Sequence, residues 1–326
     1  MTRPRSTLID LTATPYYHCI ARCVRRAFLC GDDSSTGRNF DHRKQWLVDK
    51  IRQLGSLFAI DVAAYAIMSN HYHLVLHVNA EKAGAWTDEE VIERWLQLYT
   101  GPLLIHRYRQ NKEALGDAEM AQVSQLVALW RERLASISWF MGLLNEHIAR
   151  QANKEDGCTG RFWEGRFKSQ ALLDEAAVIA CMAYVDLNPV RAGIAHDLEH
   201  SDFTSIQARI QQIQRETTET TTGKKESSPA TPALLPFVES EHQDKHLAAI
   251  PYNLKDYLAL VDWTGRCVRH DKRGAIAEHT PTILQHLGIS DQQWLLLALE
   301  IQKKSVIMLS GLEQIRRRQP HRSQAA

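Results

Sequence analysis

No stretch of the 326-residue chain approaches the roughly 18 consecutive apolar residues of a membrane span, and its first residues form no apolar secretory segment. A cytoplasmic protein without a membrane partner is the expectation. No Gly-x-x-x-x-Gly-Lys-Ser/Thr loop occurs, which argues against nucleotide hydrolysis of the phosphate-loop kind. An excess of one charge is also lacking. The 39 Lys and Arg stand against 38 Asp and Glu, a formal net of +1, so any affinity for a polyanion must come from local patches. Cysteine is sparse: Cys19, Cys23, Cys30, Cys158, Cys181 and Cys267 are scattered through segments that read as core. That favours buried thiols over a disulfide framework, and Cys19 with Cys23 has no second pair at a zinc-site spacing.

The most informative feature present is His71-Tyr72-His73, in the run from Ala64 to Leu76. Apolar segments flank the turn-forming Ser69-Asn70, so the run reads as a hairpin whose second strand carries the histidines. Residues two apart on a strand share a face. His71 and His73 therefore project to one side, about 7 Å apart at the backbone, while Tyr72, Leu74, Leu76 and Val78 point into a core. The pair alone fits half a metal site and an ordinary polar strand face equally well. A second segment, Asp174 to Asn188, reads as a helix with Asp174 as N-cap, an apolar stripe of Val178, Ile179, Met182 and Val185, and Pro189 as its stop. Tyr184 and Asn188 lie four apart on one face of it, beside the small residues Ala177, Ala180 and Cys181.

The wider pattern predicts strands at about 16–24, 58–67, 71–78 and 161–172, and helices at about 41–55, 137–153 and 175–188. The first six of these elements follow the split βαβ order of a ferredoxin-like α+β fold: an antiparallel sheet with helices on one face. Residues 80–135 interrupt that order as a helical insertion, in which Thr87 and Glu90 form a capping box and Val91, Trp95 and Leu98 repeat at helical spacing. A core role for these is the ordinary expectation, against a DNA-hairpin clamp. Residues 1–213 form the principal domain. Residues 214–240 read as a Thr-, Ser-, Glu- and Pro-rich flexible linker, and 241–326 as a small helical accessory module. Within that module, Thr280 to Ser290 followed by Trp294 resembles a helix-turn-helix spacing, for which plain helical packing is the ordinary expectation against a DNA-recognition role, and Arg316-Arg317-Arg318 reads as a solvated basic tail.

Local charge is uneven. Residues 1–52 hold ten Lys and Arg against five Asp and Glu, including Arg22, Arg25 and Arg26. From Gly160 to Ser169, Arg161, Arg166 and Lys168 interleave with Phe162, Trp163 and Phe167, which suits phosphate contact with base stacking, or equally a strand with buried aromatics and outer charges. His77 shares the face of His71 and His73 but is too far along the strand to share an ion with them.

Three motifs in one order, the Ser69 to Leu76 run, the Gly160 to Ser169 run and the Tyr184 to Gly193 segment, together resemble the REP-associated tyrosine transposases. These belong to the single-tyrosine HUH endonuclease superfamily. The stretch from Tyr17 to Arg26 also resembles that family's first strand and basic turn. The resemblance implies cutting and rejoining of single-stranded DNA with hairpin or palindromic repeat ends. It implies Tyr184 as nucleophile and His71 and His73 as ligands of Mg²⁺ or Mn²⁺, with Asn188 as a third, oxygen ligand. DNA contacts would then come from Arg22, Arg25, Arg26, Arg161, Arg166, Lys168 and Arg191. A nucleoid-associated monomer or homodimer would follow. The chemistry suits these residue types: a cation on the phosphate offsets charge building on its oxygens, and a phenol of pKa about 10 needs positive charge nearby to attack at neutral pH. Two rival readings remain: a domesticated, non-mobilising protein that binds palindromic repeats, and a zinc hydrolase, for which no third histidine stands at a suitable spacing.

Overall fold

The computed structural model describes residues 8–24, 29–33, 37–222, 233–238 and 248–267. Arg25 and Arg26, the helix-turn-helix-like stretch with Trp294, and Arg316 to Arg318 lie outside them. The elements run β1 (Tyr16–Arg22), the short pair β2 (Asp32–Asp33) and β3 (Arg38–Asn39), α1 (His42–Leu57), β4 (Ile60–Ile67) and β5 (His71–Val78). The insertion follows as α2 (Ala80–Ala85), α3 (Asp88–Leu96), α4 (Leu103–Gln110) and α5 (Asp117–Leu134). Then come α6 (Ile137–Glu155), β6 (Lys168–Ala171), α7 (Glu175–Asp186), α8 (Asn188–Arg191), α9 (Ser205–Thr222) and α10 (Leu254–Cys267).

An antiparallel sheet in the order β4-β5-β1-β6 organises the molecule. With α1 between β1 and β4 and α6 between β5 and β6, this is the split βαβ arrangement expected of an α+β fold. Strand alternation divides the side chains into two sets. Tyr17, Cys19, Tyr65, Tyr72, Leu74 and Leu76 point into one core, shared with α1, α6 and the insertion. Ala64, Ala66 and Val75 point into a second, shared with α7 and α10.

Helices thus cover both faces rather than one, because the histidine-bearing face also carries apolar residues that need burial. Its composition sets how closely a helix can lie. Ala63, Ala64 and Ala66 of β4 meet Ala180 and Ala183 of α7 in that core, so α7 rests on β4 and β5 with little side-chain bulk between. The outer edge of β4 is closed by other backbone, Ile67 N–H donating to Phe203 O and Leu235 N–H to Val62 O, which removes it as a template for further strand pairing.

Three further boundaries differ from the sequence expectation. The last strand is only Lys168–Ala171; Gly160 with φ +119° turns the chain, and Phe162, Trp163 and Phe167 are tucked into the first core. The helix of Tyr184 ends at Asp186, and Pro189, lacking an N–H, sits near the start of a new helical turn, α8. Finally, α9 continues to Thr222, through the first part of the expected linker, while Leu235, Phe237, Ile250, Tyr257, Leu260 and Val261 join the core beneath α7. The opening of the accessory segment is therefore packed against the principal domain.

Candidate active site

Register places the site. Across the sheet His73 lies opposite Ile20 on one side and Ala66 on the other, His71 lies opposite Arg22, and Val75 lies opposite His18. Lys168 and Gln170 of β6 pair with Ile20 and His18. Directly opposed residues share a face, so Arg22, His18, His71, His73, Lys168 and Gln170 line one side of the sheet. That side carries α7. Asp174 caps the helix by accepting from Ala177 N–H at 2.7 Å, as the sequence predicts, which sets where its later residues fall.

Tyr184 stands edge-on to two imidazoles, its ring centroid 5.7 Å from His73 and 6.1 Å from His18. His71 lies edge-on to His73 at 4.8 Å. His18 and His73 are stacked and joined Nε2 to Nδ1 at 3.0 Å. The Arg191 guanidinium lies 5.4 Å from the Tyr184 ring centre. Asn188 donates its side-chain N–H to the Tyr184 carbonyl at 3.2 Å. Two segments more than 100 residues apart thus meet: Tyr184, with Asn188 and Arg191 beside it, stands against His73, and His71 stands against His73 in turn. Arg22 and Lys168 stand exposed on the same sheet face.

His18 was given no role by sequence reasoning. Its position two residues from Ile20 on a strand paired with β5 was the available signal, but only the register shows that it reaches His73.

Burial governs the charge states. It lowers His18 and His71 to about 4, with Arg22 adding to the effect on His71, and holds His73 well below its usual value, with its two histidine neighbours contributing. All three are neutral near pH 7, the form that binds metal. The hydrogen-bond pattern is consistent with that use. His71 Nδ1–H donates to Asn70 Oδ1 at 2.5 Å, leaving Nε2 with its lone pair. The tautomer in which His73 Nδ1–H donates to His18 does the same for His73. Asn188, its amide nitrogen turned to a carbonyl, keeps an oxygen for a hard cation. His71 and His73 could thus offer two nitrogens to a metal, and Asn188 an oxygen. Among the described residues no group of three His, Cys, Asp or Glu side chains gathers around a common point. The Tyr184 phenol is pushed up by burial, while the Arg191 charge and an Asn188 hydrogen bond act in the opposite direction.

The aromatic residues of the Gly160 to Ser169 run are core. Trp163 donates to Asn145 O at 2.8 Å and packs on Tyr72 at 5.7 Å, so these rings do not form a base-stacking surface. Arg161 and Arg166 are exposed beside them. The insertion belongs to the opposite core, with Trp95 and Trp130 buried and stacked. Its nine acidic against seven basic residues give a DNA clamp no electrostatic support. His77 is bound to Asp61 at 3.2 Å and takes no part in the cluster. Cys19 and Cys23 are buried.

Among the described residues no helix is long and apolar enough to cross a membrane. No family model and no curated protein matches the chain. The chain is similar to a solved structure of a REP-associated tyrosine transposase bound to a REP hairpin, at 12% identity and a TM-score of 0.36, over 76% of this chain and 97% of that one.

Proposed function

We propose that this protein cuts and rejoins single-stranded DNA, with Tyr184 as nucleophile, by a phosphotyrosine route that needs no nucleotide cofactor. The observation that carries the reading is the placement of the Tyr184 ring against the His18–His73 pair, with His71 edge-on to His73. A tyrosine packed among neutral imidazoles, on a face edged by exposed Arg22 and Lys168, suits attack on a phosphodiester.

His71 and His73, with Asn188, would hold Mg²⁺ or Mn²⁺. Such an ion, when bound, supplies positive charge to the phosphate oxygens and to the phenol. His18 holds the His73 ring and fixes its tautomer. Arg22, Lys168, Arg161 and Arg166 attract the backbone of the strand. The phenol is too basic, in its buried setting, to ionise unaided at neutral pH, so attack waits on positive charge beside it. Tyr184 Oη then bonds to phosphorus while the bond to the 3′ oxygen breaks, leaving a 5′-phosphotyrosine and a 3′-hydroxyl. Because one ester replaces another, an incoming 3′-hydroxyl can reverse the step and join new ends. A hairpin-forming single strand is the proposed partner.

The test is incubation of labelled single-stranded hairpin DNA with the protein and Mg²⁺ or Mn²⁺, read on a denaturing gel. A covalent adduct is expected with the wild type and not with Tyr184→Phe or His71→Ala. An adduct that persists in Tyr184→Phe refutes the nucleophile assignment.

A further inference from the structure

We propose that Arg191 grips the scissile phosphate itself, as a catalytic residue and not a general backbone contact; this rests on Tyr184 being the nucleophile. Arg191 ends α8, the short turn that folds back after Leu187, and its guanidinium carbon is 5.4 Å from the Tyr184 ring centre. Its Nε and Nη1 are shut off from water and meet no acceptor. Among the described residues no carboxylate pairs with it, and the one charge interaction it makes is with Tyr184. Buried donors in folded proteins are almost always paired, so such an arginine asks for a ligand.

Arg191 is half-buried as a whole, and the two buried arginines among the described residues show what pairing looks like. Arg43 binds Glu155 at 2.7 Å and Asp156 at 2.5 Å. Arg209 gives Nη2 to the carbonyls of Ala63 and Leu235, at 2.9 and 3.1 Å, although its Nε is unpaired. Arg191 has neither arrangement. A planar, always-charged group with several unfilled donors fits an anion offering more than one acceptor oxygen. Beside Tyr184, on the face that exposes Arg22 and Lys168, that anion is a phosphodiester.

The reacting phosphate then lies between Tyr184 and Arg191. As the Oη–P bond forms and the P–O3′ bond breaks, the phenol proton leaves to water and the 3′ oxygen takes one from water. Charge rises on the two non-bridging oxygens meanwhile, and the Arg191 N–H groups meet it. Their contribution is largest in the transition state.

The experiment measures single-turnover adduct formation at saturating hairpin DNA with Mn²⁺, after the cut position has been mapped with wild-type protein. Wild type, Arg191→Ala and Arg191→Lys are compared on the natural phosphodiester and on a methylphosphonate at the cut position, which lacks one charged oxygen. Arg191→Ala is expected to slow adduct formation by about 10²–10³-fold with little change in DNA affinity. The deficit should shrink markedly on the methylphosphonate. Arg191→Lys, which keeps the charge and loses the fork, should be slowed at least about tenfold, and it decides the matter if the alanine variant does not fold. A variant that binds DNA more weakly but reacts at the wild-type rate when saturated, or one equally impaired on both substrates, overturns the proposal. Adduct that depends on Tyr184 but is indifferent to Arg191 removes this inference alone. Absence of adduct with wild type removes the phosphotyrosine reading and this inference with it.

Discussion

Asp186, two residues beyond Tyr184, offers the sharpest test of how the site is held. Its carboxylate is fully buried and accepts from Ser205 Oγ at 2.5 Å, Ile206 N–H at 3.0 Å and Tyr257 Oη at 2.7 Å, tying α7 to α9 and α10. Arg209 contributes positive charge nearby, yet desolvation dominates and raises Asp186 from 3.8 to about 6. The native state therefore holds a proton more tightly than the unfolded chain. Between the two values the folded form binds more protons, so this group's stabilisation is fully present below pH 3.8 and is lost as pH rises through about 6. A shift of about two units corresponds to about 3 kcal/mol. Asp186→Asn keeps the shape and cannot titrate. In urea denaturation at a series of pH values, wild type should gain about 2 kcal/mol relative to Asp186→Asn between pH 7 and pH 4. Asp186→Ala, which leaves three donors without an acceptor, should cost about 3–5 kcal/mol, or roughly 10 °C in melting temperature. Parallel pH curves for wild type and Asp186→Asn would refute the linkage, and a loss under about 1 kcal/mol in the alanine variant would refute the tethering role.

His18→Ala should weaken Mn²⁺ affinity by about 10–100-fold through loss of the contact that orients His73, measured by titration of adduct yield against metal; an unchanged titration removes His18 from the site. Gly101→Ala should destabilise by about 1–2 kcal/mol in thermal melts. Gly101 adopts φ +74° and an added Cβ would come within 2.7 Å of Leu96 Cδ2. Thr87→Ala should cost about 1 kcal/mol, because the Thr87–Glu90 capping box is lost, while leaving adduct formation intact; reduced adduct formation would place the insertion in the reaction.

Local features of the fold were legible where one residue's chemistry acts on its neighbours. The hairpin at Ser69-Asn70, the alternation of Tyr72, Leu74 and Leu76 into a core, the Asp174 N-cap and the Thr87–Glu90 box all read directly from spacing, and all appear in the structure. The Gly160 to Ser169 run was ambiguous because alternating charge and aromatic residues suit a strand and a core-anchored loop equally. Packing against Tyr72 resolved it. The site was half legible. His71 and His73 declare themselves by period-two spacing, whereas His18 depends on the pairing of β1 with β5. Strand register joins residues 55 positions apart, and no local pattern encodes it.

By itself the sequence determined the split βαβ order, the shared face of the two histidines, and the capped helix that carries Tyr184, because helix and strand periods act within a few residues; Asn188, expected on that helix, opens the next one instead. Only the tertiary structure decided that α7 lies on the histidine face, that His18 holds His73, and that half-buried Arg191 keeps two shielded donors unfilled beside Tyr184. Those outcomes depend on burying the second face of the sheet. The small side chains of β4 and α7 permit that close approach, and it brings distant residues together at a depth where water no longer fills their hydrogen bonds.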